Sequence, residues 1–174
     1  EVEWDSACAE YIVNDTLGKV MYANMQKLGK IEFSEADFAY AQEFTNKLDE
    51  QTKASYYNKI QSWFPDMNEN ELHELGRKSI IDEILPYHLT DAAMPGSTDV
   101  GDASWQAPTA QLMAPCYPAG TVAHSWQFVA CGKSEMTHKG MLYAGKVIAM
   151  TALDMLQDPG LLDKAQAEFE KRLG

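Results

Sequence analysis

The 174-residue sequence predicts an α/β fold, with strands covered by helices. Two stretches have strand character, residues 109–113 and residues 122–131, and a Pro/Gly-rich loop separates them. A long helix is expected to follow from about residue 137 to 157, and its small residues would let it lie close against a sheet. Two strands do not complete a sheet, so we expect the mixed sheet to take its other strands from elsewhere.

The first half of the chain is predicted to be helical, over about residues 14–85. Asn14 or Asp15 is placed to cap the first helix, and Gly29 is placed to end it. Ser34 followed by Asp37 is a capping-box variant at the start of the next helix. A weaker helix is expected around residues 69–75. The helix-rich segment contains no pattern that indicates chemistry.

The opening Glu1-Val2-Glu3-Trp4 alternates polar and apolar residues like an edge strand, and it has no initiator Met. We therefore expect a fragment, or a chain whose N-terminal part was removed. Three cysteines without a CxxC spacing indicate free thiols in a reducing cytoplasm. No apolar stretch approaches the roughly 20 residues that span a bilayer.

Charge excludes two classes of partner. The formal net charge is −12, from 14 Lys and Arg against 26 Asp and Glu. No basic run is present that would follow a phosphate backbone, so nucleic acid is not an expected partner. An anionic membrane surface is disfavoured for the same reason.

His124 is the first candidate functional residue. It lies in the second predicted strand, where a rigid backbone would fix the direction of a metal-binding imidazole. The ordinary alternative is a histidine with a structural role, and the local pattern alone favours that alternative. No HxH or HExxH pair is present, so the chain cannot supply a complete metal site.

Asp99 and Asp102, in a Gly-, Ser- and Pro-rich loop, are the second candidates. Their carboxylates could bind a metal or orient a substrate, but Asp in such loops often only hydrogen-bonds its own backbone. Cys116 with His124 would be a third possibility, a thiol nucleophile with its base, although no cysteine-hydrolase signature surrounds Cys116.

Three strings in this order resemble the aminoacylase/carboxypeptidase family of metallohydrolases, close to its amidohydrolase branch. They are Val13-Asn14-Asp15, Gly96-Ser97-Thr98-Asp99-Val100-Gly101-Asp102-Ala103-Ser104-Trp105 and Gly120-Thr121-Val122-Ala123-His124-Ser125-Trp126. The segment His138-Lys139-Gly140-Met141 also resembles the start of the C-terminal helix of that family. The resemblance implies a zinc-peptidase-like catalytic domain interrupted by a dimerising lid. On that map residues 1–4 are the last lid strand and residues 5–174 complete the catalytic domain, with an active-site segment at about 94–174.

The same resemblance implies hydrolysis of amide bonds in N-acyl amino acids such as p-aminobenzoyl-glutamate, or in small peptides. Two divalent ions, zinc or manganese, would activate a bridging water. His124 would ligate one metal, while Gly96, Ser97, Thr98 and Asp99 would line the substrate pocket. The other ligands and the general base would precede residue 1, so the remainder of the polypeptide is the implied partner, in a homo-oligomer. The competing hypothesis is a non-catalytic helical binding module.

Overall fold

The computed structural model describes residues 2–3, 7–89 and 98–174, and in these ranges helices are joined by loops. The helices are α1 (Asp15–Leu28), α2 (Glu35–Thr45), α3 (Glu50–Trp63), α4 (Glu69–Arg77), α5 (Val100–Ser104), α6 (Trp126–Cys131), α7 (Glu135–Gln157) and α8 (Pro159–Leu173). None of the described residues is in a β-strand, so the predicted α/β fold with a mixed sheet is wrong for this part of the chain. Within the same ranges, no helix has the length and apolar character needed to cross a membrane.

None of the three predicted strands is present among the described residues. Residues 109–113 form no regular element, and residues 122–131 form a turn followed by α6. Ser125 decides the second case, because its side chain caps α6 by accepting a hydrogen bond from the Phe128 N–H at 3.3 Å. A short, mostly apolar run such as residues 122–131 does not by its periodicity distinguish a strand from a helix segment. Val2 and Glu3 are not in a strand, while Glu1 and Trp4 lie outside the described residues.

The helix boundaries that were predicted from capping residues are confirmed. The Asn14 side-chain oxygen accepts a hydrogen bond from the first turn of α1 at 3.0 Å. Gly29 follows the last residue of α1 with φ of 80°, a conformation that favours glycine. Ser34 and Asp37 form the expected capping box on α2, and Asn68 forms another on α4. Local side-chain chemistry therefore set these ends.

The structure contains two compact units. The first is made of residues 1–28, 86–112 and 147–174. In it, the Glu168 carboxylate on α8 accepts hydrogen bonds from Asp15 N at 2.7 Å and from Thr16 N and Oγ1 at 2.8 Å each. Burial would raise the pKa of Glu168, but these hydrogen bonds outweigh burial and lower it. A carboxylate at the N-terminus of α1 also complements the helix dipole.

The second unit is made of residues 29–85 and 113–146. Its interior has two apolar clusters. One contains Ala41, Ile80 and Met136, and the other contains Ile60, Leu72 and Leu75. The second cluster lies between α3 and α4, and partly buried aromatic side chains, including Tyr56, surround it.

Candidate functional site

Residues 98–105, the described part of the 96–105 string that resembles the family, mainly hold residues 9–12 in the first unit. The Ala9 N–H donates to the Asp102 carboxylate at 2.9 Å, and the Ile12 N–H donates to Ser104 Oγ at 2.8 Å. Trp105 Nε1 donates to the Glu10 carbonyl oxygen at 2.7 Å. Asp102 therefore bonds a backbone N–H that is 93 residues away in the sequence, and not its own turn as the local-turn alternative expected.

Gly101 makes this arrangement possible. A Cβ added at Gly101 would lie 2.2 Å from the Ala9 carbonyl oxygen, a distance that no real side chain occupies. The glycine thus allows α5 to approach the 9–12 backbone closely. We call the contacts of Gly101, Asp102, Ser104 and Trp105 with residues 9–12 the α5 clamp.

Thr98 and Asp99 precede the α5 clamp and are exposed. The Asp99 side chain makes no capping hydrogen bond to α5, although its position is the N-cap. Thr98 is fixed through its backbone, because its carbonyl oxygen accepts from Gly101 N at 3.0 Å. Asp99 thus projects from an anchored turn. Gly96 and Ser97, the other predicted substrate-binding residues, lie outside the described residues.

His124 lies in the turn before α6, and the prediction that it lies in a strand is wrong. It is exposed, with φ of 60°, in the left-handed region that histidine enters more readily than most residues. The next residue, Ser125, holds the turn by donating to the Val122 carbonyl oxygen at 2.6 Å. An exposed imidazole keeps its hydration, so His124 does not require a hydrogen-bond partner within the protein.

A cleft of about 450 Å³ lies beside this turn, between α3 and residues 120–123. Its other lining residues are Gln51, Thr52, Ser55, Tyr56 and Lys59. Gly120 shapes the cleft: its φ is 76°, and a Cβ there would lie 2.6 Å from a methyl carbon of Leu48. Thr52, Ser55, Tyr56 and Thr121 give the described lining its hydroxyl groups, and Lys59 is its single charged side chain.

The described residues do not by themselves fit a metal centre. Within the described ranges, no three His, Cys, Asp or Glu side chains are grouped so that they could hold a metal ion. Asp99 belongs to the first unit and His124 to the second. Because a metal site usually requires at least three protein ligands, His124 could contribute only one donor to a site completed by other residues.

The protonation of the Cys116 thiol argues against Cys116 as a nucleophile with His124 as its base. Burial raises the pKa of the Cys116 thiol, which lowers its thiolate fraction at neutral pH. The Cys116 carbonyl oxygen accepts a hydrogen bond from Thr137 Oγ1 at 2.5 Å, and Gly140 leaves room for Pro115, whose oxygen would lie 2.6 Å from an added Cβ. The 115–116 loop is therefore packed against the start of α7, and a half-buried loop thiol is the better interpretation.

A partly buried ion pair joins Lys139 and Asp37, and the sequence did not predict it. Lys139 Nζ on α7 lies 2.5 Å from the Asp37 carboxylate, which is only 5% exposed and also accepts hydrogen bonds from Ser34 N and Oγ at 2.8 Å. Burial would raise the pKa of Asp37, but the hydrogen bonds from Lys139 and Ser34 outweigh it and lower the pKa. Lys139 and Asp37 were each noted for other reasons, but nothing in their sequence context indicated that they meet.

The sequence of the chain is similar to that of one subunit of a known hydrolase. The relative is a subunit of the p-aminobenzoyl-glutamate hydrolase of Escherichia coli (strain K12), and it is 33% identical over 171 residues. The match covers 98% of this chain and 36% of the relative, so the chain spans about a third of that protein's length. No family model and no solved structure matches the chain. The similarity confirms the resemblance inferred from the sequence strings. The roles of Thr98, Asp99 and His124 stay predictions.

Proposed function

We propose that this chain is part of a hydrolase that cleaves amide bonds of p-aminobenzoyl-glutamate-like N-acyl amino acids or of small peptides. The observation that carries the proposal is the 33% identity to the p-aminobenzoyl-glutamate hydrolase subunit over 98% of the chain. Because the chain spans 36% of that relative, the activity would belong to a larger protein or assembly. This chain would act together with the remainder of the hydrolase polypeptide. The complete hydrolase would be a cytoplasmic homo-oligomer.

Two features of the structure support roles for the candidate residues. The α5 clamp anchors the turn that leaves Asp99 exposed, so Asp99 is available to a substrate. Ser125 anchors the turn that leaves the His124 imidazole exposed, so His124 is available as one ligand of a zinc or manganese site. The remaining donors of two divalent ions would come from residues outside the described ranges.

His124→Ala in the complete hydrolase tests the metal role. We expect lower metal occupancy and a loss of activity of several orders of magnitude, because a metal ligand is removed. Measured without metal, the free energy of unfolding should fall by only about 1 kcal/mol, because the side chain is exposed and the cost is that of alanine in a left-handed conformation. His138→Ala is the matched control, since His138 is also exposed and lies on α7. Full metal occupancy and normal turnover in the His124 variant would refute the role.

Asp99→Ala tests the substrate role separately. Turnover should fall while metal content stays at the wild-type level, because a pocket residue contacts the substrate and not the metal. Asp66→Ala is the control, since Asp66 is an exposed carboxylate in the loop between α3 and α4. Loss of metal in the Asp99 variant would show that the residue is a ligand, and unchanged turnover would show that it has no part in the reaction.

A non-catalytic helical binding module is the second candidate function. The observation in its favour is that the described part of the chain is helical without a strand. Amide hydrolysis by the chain combined with the rest of the hydrolase supports the first function. Stable binding without hydrolysis of any N-acyl amino acid supports the second.

A further inference from the structure

A row of polar side chains lines one side of the cleft between α3 and residues 120–123. Gln51, Ser55 and Lys59 follow one another at every fourth position of α3, so they share one face of the helix. All three are exposed, and residues 120–123 form the other side of the cleft. The cleft belongs entirely to the second unit, and its volume of about 450 Å³ is typical of small-molecule sites.

The three polar groups of this row are free to bind a ligand. Among the described residues, no hydrogen bond or ion pair engages the Gln51 amide, the Ser55 hydroxyl or the Lys59 ammonium. Lys59 Nζ lies 4.8 Å from the centre of the Trp63 ring, a cation–π contact that restrains the side chain but occupies none of its N–H groups. The row therefore offers an amide, a hydroxyl and an ammonium as hydrogen-bond donors.

Lys59 gives the cleft a positive charge in an acidic chain. It is the single charged side chain of the described lining, whereas the chain as a whole has a net charge of −12. An anion in the cleft would therefore meet one cation and two neutral donors, and no carboxylate of the described lining would repel it. A carboxylate can accept from several donors at once and forms its strongest hydrogen bonds with charged ones. The lining thus favours a carboxylate as ligand.

The cleft adjoins the turn that contains His124. Ala123 lines the cleft and His124 is the next residue, so their Cα atoms are about 3.8 Å apart. A ligand in the cleft therefore lies close to the backbone of the residue that we propose as a metal ligand. Glutamate, the amino acid of the proposed substrate, has a carboxylate at the end of a flexible side chain, away from the amide bond that is cleaved.

We propose that the cleft is the subsite for the side-chain carboxylate of an acidic N-acyl amino acid, and that Lys59 selects this charged side chain. This inference rests on the proposed function and deepens it, because it names acidic amino acids as the preferred class of substrate. Ser55 and Gln51 would donate to the same carboxylate. Lys59 would act on the binding of the substrate and not on the cleavage of the amide bond.

Calorimetric titration of the complete hydrolase tests the subsite, with p-aminobenzenesulfonyl-glutamate and p-aminobenzenesulfonyl-glutamine as probes. A sulfonamide bond replaces the amide bond in both probes, so binding is measured without hydrolysis. The two probes differ in the side-chain carboxylate alone. We expect the wild type to bind the glutamate probe about tenfold more tightly, because one charge-assisted hydrogen bond contributes about that much. Lys59→Gln should abolish this preference.

Lys53→Gln is the matched control. Lys53 is an exposed lysine of the same helix, it lies outside the described lining of the cleft, and its Nζ is 2.8 Å from the Glu50 carboxylate. The control removes the same charge from the protein, and its preference for the glutamate probe should equal that of the wild type. Circular dichroism should show equal helix content in the wild type and both variants, since both lysines are exposed.

Several results would overturn the subsite. They are equal binding of the two probes by the wild type, an unchanged preference in Lys59→Gln, or an equal loss of preference in Lys53→Gln. Equal weakening of both probes by Lys59→Gln would assign Lys59 to the α-carboxylate that the probes share, and would also overturn the proposal.

Hydrolysis of p-aminobenzoyl-glutamate, measured separately, distinguishes this inference from the proposed function. A preference that depends on Lys59, in a protein that does not hydrolyse this amide, would support the subsite and contradict the function. Hydrolysis by a protein that binds the two probes equally would support the function and overturn the subsite.

Discussion

The α5 clamp predicts opposite effects for the same substitution at two helical glycines. At Gly101 an added Cβ would lie 2.2 Å from the Ala9 carbonyl oxygen, while real contacts below 3.0 Å are essentially absent. The two backbones must therefore separate by about 0.8 Å, since neither atom belongs to a flexible side chain. At Gly145 on α7 an added Cβ would meet nothing within 4 Å. Gly145 is the matched control for Gly101.

The magnitude follows from the contacts that would break. Three hydrogen bonds join the α5 clamp to residues 9–12, and each is worth about 1 kcal/mol net. Alanine in place of glycine recovers about 1 kcal/mol of helix propensity. Gly101→Ala should therefore lower the free energy of unfolding by about 2 kcal/mol. Gly145→Ala should raise it by about 0.5 to 1 kcal/mol, because only the helix propensity changes.

Urea unfolding followed by circular dichroism measures both effects. With a slope of about 2 kcal/mol per molar urea, the midpoint should fall by about 1 M for Gly101→Ala and rise by about 0.3 to 0.5 M for Gly145→Ala. Fluorescence of the tryptophans should also change in the Gly101 variant, because Trp105 loses its hydrogen bond to the Glu10 carbonyl oxygen. A Gly101→Ala chain that is as stable as the wild type would refute the close approach of α5 to residues 9–12.

Two further predictions concern charged groups. The pKa of Glu168 is lowered in the folded state, so its stabilisation is present above the unfolded pKa and is lost as pH falls through the folded pKa. Glu168→Gln should thus lower the free energy of unfolding by about 1 to 2 kcal/mol at pH 7, because the hydrogen bonds to Asp15 and Thr16 become weaker. The difference between the variant and the wild type should vanish in acid. Urea unfolding at several pH values measures this difference, and a difference that does not depend on pH would contradict the prediction. Lys139→Met should lower the free energy of unfolding by about 2 to 3 kcal/mol and raise the pKa of Asp37, because a buried carboxylate loses its cation. Thermal melts measure the stability, and NMR titration of the Asp37 carboxyl carbon measures the pKa. An unchanged pKa would show that the hydrogen bonds from Ser34 alone stabilise the Asp37 carboxylate.

Some of this structure was determined by local sequence. The Ser34 side chain caps α2 by bonding a backbone N–H three residues away, so the start of α2 was predicted without knowledge of the fold. Asn68 and Asp158 make caps of the same local kind on α4 and α8. The strings around Asp99 and His124 also carried enough information to identify the relationship to a hydrolase.

Tertiary structure decided what those strings do. Asp99 and Asp102 are equivalent candidates in the sequence, yet Asp102 meets the Ala9 N–H, 93 residues away, and Asp99 is left exposed. Lys139 reaches Asp37 across 102 residues, a contact that no local pattern encodes. The environment of His124 was likewise not predicted, because the alternating run around it fits both a strand and a capped helix. Caps depend on neighbours in the chain, whereas burial and pairing depend on which distant segments pack together, and that is fixed only by the folded structure.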